Sequence, residues 1–259
     1  MNYGLYLSAS GAMTNHYRQD VYANNLANVS TTAFKPDMPT LRQRAPEAIE
    51  DGQRSDISHR LLERLGGGVL AGRQHIDFTA GTVQRTGNPL DAALPDDDTF
   101  FAVRVSDPAG GDELRLTRDG RFTRAADGQL VTTTGHQVLD VDDQPIILRD
   151  GHAVQITGGG EILQDGQRVA RIQVARVADT AQLTKQAANI FAFDGADPRQ
   201  ILDQPHVEPG FIEASGVNPI TTLMSMIAAS KAAIGNTELI RYQDVMMDQA
   251  VNTLGRVTA

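Results

Sequence analysis

Few residues in this chain could do chemistry, and they are scattered. The six histidines (His16, His59, His75, His136, His152 and His206) stand far apart. None has a His or Glu partner at the spacing that sets two zinc ligands on one helix face. Asp96-Asp97-Asp98 and Asp140, Asp142 and Asp143 are dense enough in carboxylates to suggest calcium. Neither run supplies the Gly and distal Glu of an EF-hand loop, so both read as acidic turns. Gly66-Gly67-Gly68 and Gly158-Gly159-Gly160 lack the Lys-Ser/Thr that completes a phosphate loop and read as a flexible loop or tight turn. Ser10-Gly11 and Ser215-Gly216 lack the surroundings of a nucleophile elbow. With no cysteine, disulfides, thiolate ligands and cysteine nucleophiles are excluded. The residues specify no catalytic group, no metal site, no cofactor and no small-molecule substrate.

The densest polar cluster is "VYANNLANVSTTAFK", residues 21–35, where Asn24, Asn25 and Asn28 precede Ser30, Thr31 and Thr32. Such side chains compete with a helical backbone for hydrogen bonds, so a helix ends here. The amides could also form a binding site or a packing device. "NVS" at 28–30 fits the glycan acceptor rule, which is a short pattern.

The elements around this cluster fall into an α+β order. Residues 3–29 read as an amphipathic helix with Leu5, Ala9, Ala12, Ala23 and Leu26 on one weak seam. Residues 36–75 read as irregular, with Pro36, Pro39 and Pro46 at the start and room for a short helix around Leu61, Leu62 and Leu65. Residues 76–209 alternate like strands, and Asp119-Gly120, Asp127-Gly128, Asp150-Gly151 and Asp165-Gly166 mark tight turns of an antiparallel β unit. Asn218-Pro219 then opens a long helix. Its a/d track holds Leu223, Met226, Ala233, Ile240, Met247, Val251 and Leu254, widened by Ile220, Met224, Ile227 and Ile234. That is more apolar surface than one partner needs. The two end helices can pair as a coiled-coil-like core, either within the chain against the β region or between copies.

The 259 residues suffice for one large domain or two small ones. Aromatic residues make up only 5%, with no Trp, which suits helical seams of Ala, Met and Ile better than one large core. The net charge of −9, without a run of Lys or Arg, argues against a nucleic-acid partner. No charge precedes Arg18 and no apolar run follows, so no secretory signal is expected, and no segment is long and apolar enough to span a membrane.

Three stretches, in order, resemble the flagellar axial family of rod and hook proteins. "NNLANVSTTAFK" is similar to its N-terminal signature, carried here by Asn24, Asn25, Leu26, Ala27, Asn28, Phe34 and Lys35. "TAGTVQRTGNPLDAAL", "FFAV" and "LTRDGRFTRAADGQLVTTTGHQVL" resemble its β-domain core. "IEASGVNPITTLMSMIAASKAA" resembles its closing motif through Ser215, Val217 and Asn218. Some positions depart from the pattern: Ala33 stands where the family usually has Gly, and Gly216 where it has Asn.

The resemblance implies a helical core (1–35 and 210–259), an extension contacting neighbouring subunits (36–75) and a β-rich rod domain (76–209). It implies a non-enzymatic subunit of the basal-body rod, stacked helically on copies of itself and on other rod and hook proteins. Export would run through the flagellar type III apparatus without a cleaved signal, and the rod would cross the periplasm inside the P- and L-ring bushing. Length and the 36–75 stretch favour the distal rod over the proximal rod; a rod-assembly scaffold or cap that is not retained is the reading from another class. Leu5, Ala12, Leu26, Leu223, Ile227, Ile234, Ile240 and Met247 are the expected packing residues between helices and subunits.

Overall fold

The computed structural model describes residues 3–45, 66–106, 111–187, 189–193, 197 and 199–254. The helix expected around Leu61, Leu62 and Leu65, and residues 46–65 of the 36–75 stretch, lie outside the described residues. The described chain forms two units. One draws on Met1–Leu26, Asp37–His75 and Asn218–Ala259, and the other on Ala27–Pro36 and Ile76–Val217. The architecture is α+β: an N-terminal helix, a mainly antiparallel β region and a C-terminal helix.

In the first unit, helix α1 spans Tyr3–Ala27 and α2 spans Pro219–Gln249. Asn218 starts α2: its Oδ1 accepts from Ile220 N at 3.1 Å and Thr221 N at 3.2 Å, and Pro219 follows where no amide hydrogen is needed. The α2 helix runs into a five-residue π turn over Ala250–Leu254. A short antiparallel pair, Leu41–Gln43 with Val69–Ala71, completes this unit. It is tied to α1 by Ser10, whose Oγ accepts from Val69 N at 2.9 Å and donates to Val69 O.

The second unit is built on a nine-stranded sheet. Thr99–Ser106 lies at its centre, antiparallel to Asp112–Thr117 on one side, with Phe101 opposite Thr117. It also pairs with Val174–Val177, which sets Phe101 opposite Val174, and with Gln137–Val138. Phe100, Phe101, Ala102 and Val103 are all buried, because both faces of this strand are covered. Alternate residues serve two cores. Phe101 packs with Phe122, Leu130, Ile156, Ile162 and Val174 on one face. Phe100 joins Phe78 and Phe191 on the other, in edge-on contacts at 5.4 Å and 5.9 Å. The few aromatics are therefore concentrated rather than spread thin.

Two of the four Asp-Gly pairs close hairpins. Asp165 and Gly166 both take positive φ (50° and 81°) in a two-residue turn with Gln164 opposite Gln167. Gly128 does so (φ 86°) between Phe122–Arg124 and Leu130–Thr132. Gly151 also has positive φ, but its turn leads into Val154–Ile156 without joining two paired strands. Asp119-Gly120 is no hairpin, since Asp112–Thr117 and Phe122–Arg124 pair with other strands. Gly120 is required there by proximity: a Cβ would lie 1.6 Å from Ala92 O.

Candidate functional site

The α1–α2 pair is held by small and amide side chains. The Gln243 amide lies over Gly4, where a Cβ would meet it at 2.6 Å, and the Asn236 amide lies over Gly11, where a Cβ would meet it at 2.8 Å. These contacts advance seven residues along α1 and retreat seven along α2, so the helices run antiparallel. Ser8 stands one turn from each of these glycines on α1, Ala12 lies one turn beyond Ser8, and both are buried. On α2 the buried side chains are Ala229 and Ala233.

The expected seams differ from this arrangement in detail. Ala12 is buried, Leu5, Ala9 and Leu26 are half-buried, and Ala23 is exposed. Ala233 of the a/d track is buried and Met226 and Ile240 are half-buried, while Leu223, Ile227, Ile234, Met247 and Val251 are exposed. A facing row of Gly, Ser and Ala offers no holes for large knobs, so long apolar side chains turn outward. Ile220 is 69% exposed, Met224 65% and Ile234 58%. On α1, Tyr6 and Met13 are also exposed; with Tyr17, Arg42, Val69 and Leu70 they line a groove of about 580 Å³.

The N-terminal signature residues have structural duties. Asn25 is buried and makes a two-way amide clamp on Asp37: Nδ2 donates to Asp37 O at 2.8 Å, and Oδ1 accepts from Asp37 N at 2.9 Å. Asn24 and Ala27 are exposed. The Asn28 carbonyl accepts from Thr31 N, and its Oδ1 accepts from Thr31 Oγ1, both at 3.1 Å, closing the turn that ends α1. Ala33 is buried with φ of 55°, a left-handed conformation that costs an L-residue about 1 kcal/mol. Glycine would take this conformation without that cost. Phe34 is buried with the Lys185 ammonium 4.2 Å from its ring centre.

Lys35 is buried as well. Its Nζ donates to Glu213 Oε1 at 2.6 Å, Thr79 O at 2.8 Å and Phe78 O at 3.0 Å, which uses all three protons. Burial, and after it the Arg118 guanidinium, pushes the Lys35 ammonium below the ordinary lysine value, against the pull of Glu213. In the closing motif, Ser215 Oγ accepts from Val217 N at 3.3 Å and Val217 is buried. No pattern in the sequence marks Arg118 and Glu213 as partners. They stand 95 positions apart, and a lone charge in a strand pattern carries no sign of its partner.

Known proteins match this chain in sequence. The model "Flagella basal body rod protein" matches residues 5–35, "Flagellar hook protein FlgE/F/G D1 domain" matches 96–183, and "Flagellar basal body rod FlgEFG protein C-terminal" matches 208–253. The chain is 31% identical over 258 residues to the flagellar basal-body rod protein FlgF of Rhizobium meliloti, covering 98% of this chain and 99% of that one. It is 31% identical to FlgF of Caulobacter vibrioides over 99% of this chain and 100% of that one. FlgG of the same organism is 30% identical over 95% of this chain and 97% of its own. Three domain models in chain order, together with relatives matched from end to end, lead to one assignment: the chain belongs to the flagellar basal-body rod protein family.

Proposed function

We propose that this rod-family chain polymerises helically, with copies of itself and with other rod and hook proteins, into a hollow shaft that transmits torque and conducts exported subunits. The observation that carries the reading is the outward row of large apolar side chains on α2, which the chain's own α1 does not cover. Ile227, Ile234, Leu223 and Met247 would pack against neighbouring copies, with Leu5, Ala12, Leu26 and Ile240 supporting the pair from within. Each exposed Ile, Leu or Met that becomes buried adds about 1 kcal/mol, and a row of them outweighs the cost of ordering.

The subunit would leave the cell through the flagellar type III apparatus and take a place in the rod across the periplasm, inside the P- and L-ring bushing. The distal position is favoured by the 36–75 stretch. Ile227→Asp tests the reading, because a charge buried between copies has no partner. Cells carrying it are expected to build no full-length rod and not to swim, while the purified variant keeps a folded β unit. Motile cells with full rods would overturn the assignment. Site-specific cross-linking in purified basal bodies is expected to capture distal-rod neighbours. Cross-links to the proximal end would move the subunit there, and its absence from basal bodies would favour the scaffold.

A further inference from the structure

The chain passes between the two units after Leu26, after Pro36, after His75 and after Val217. Three of these passages meet, on the β-unit side, around one buried carboxylate. Glu213 Oε1 accepts from Lys35 Nζ at 2.6 Å and from Gly81 N at 2.7 Å, and its Oε2 accepts from Arg118 Nε at 2.8 Å. Its own carbonyl accepts from Ala33 N at 2.8 Å. Lys35 lies just before the second passage, Phe78 and Thr79 just after the third, and Glu213 just before the last. Arg118 ties the group to the sheet, donating to Leu94 O at 2.8 Å, Asp96 O at 2.6 Å and Thr99 O at 2.9 Å. Backbone bonds link the same segments: Gly216 N to Phe34 O, Asp77 N to Pro36 O and Ala214 N to Thr82 O, each 2.9 Å.

We propose that Glu213, Lys35 and Arg118 form a clasp that holds these three passages as one cooperative element, so that they loosen together and never singly. The charge count makes the carboxylate the keystone. Two buried cations share it, so losing Glu213 leaves both without a counterion, whereas losing Lys35 leaves a balanced Glu213–Arg118 pair. The inference does not depend on the assembly reading, since it concerns one chain alone.

Hydrogen exchange of the full chain tests it with Glu213→Gln, which keeps the shape but removes the charge that both cations share and turns an amide N–H donor toward one of them. The amides of Ala33, Asp77, Ala214 and Gly216 are expected to exchange about a hundredfold faster together, while Ala102 and Val177 in the sheet stay protected. Acceleration at one passage alone, or none, overturns the proposal. If the sheet amides also accelerate, Lys35→Met decides. A rise of about tenfold at all three passages supports the clasp, and a rise confined to residues 33–36 overturns it.

Discussion

Ala33 shows how single residues in this chain balance opposed costs. Replacing it with Gly relieves about 1 kcal/mol of left-handed strain, but frees the unfolded chain by about 0.5 kcal/mol and removes a buried methyl worth about 0.8 kcal/mol. Ala33→Gly is therefore expected to shift the urea midpoint little, whereas Ala33→Val, branched and without space, should lose about 3 kcal/mol. Asn25 is a second case. Asn25→Ala takes two hydrogen bonds from the Asp37 backbone and should cost about 2 kcal/mol in the same melts. Lys35 adds a pH dependence. Its proton is held more loosely in the fold than in the unfolded chain, chiefly through burial, so the charged form subtracts from stability below the folded-state value. That penalty fades as pH rises toward the ordinary lysine value of about 10.4. Wild type should accordingly gain stability relative to Lys35→Met as pH rises from the folded-state value toward the ordinary lysine range, and the reverse trend would contradict the direction of the shift.

At the scale of elements, the helix pair turns on glycines that helix propensity alone would reject. Gly11→Ala should add about 1 kcal/mol to an isolated helix. Here the new methyl would meet the Asn236 amide at 2.8 Å, with Cγ and Oδ1 at 3.1 Å, and a short side chain has little room to swing away. The net effect is expected to be a loss of about 1 kcal/mol, recovered in Gly11→Ala/Asn236→Ala, so that a double-mutant cycle shows coupling. Gly4→Ala, facing the longer Gln243, should be neutral or stabilising. The sequence displayed what local chemistry controls: the end of α1 at Asn28, the start of α2 at Asn218-Pro219, and the Asp165-Gly166 hairpin. It hid what depends on distant chain. Gly120 gave a turn signal, yet its glycine answers to Ala92 across the fold. Glu213 finds Lys35 across 178 positions. The apolar track on α2 was visible, but periodicity reports only that a face avoids water and not whether its cover belongs to the same chain.

For the whole molecule, the two units rest on unequal foundations. The β unit closes two cores around a central strand buried on both faces. The described part of α2, by contrast, buries only alanines fully, although it is 31 residues long. A helix with so little covered surface has only its backbone and a narrow seam to hold it, and both are marginal in water. In monomeric protein at low concentration, amides of residues 220–249 should therefore exchange within seconds to minutes, while those of Thr99–Ser106 persist for hours or longer. Assembly should reverse the contrast by covering Ile220, Met224, Ile227 and Ile234, slowing the helix toward the pace of the sheet. Strong protection of residues 5–26 and 220–249 in the monomer would mean that the chain stabilises its own ends. The exposed row on α2 would then lose its role as the driving force for polymerisation.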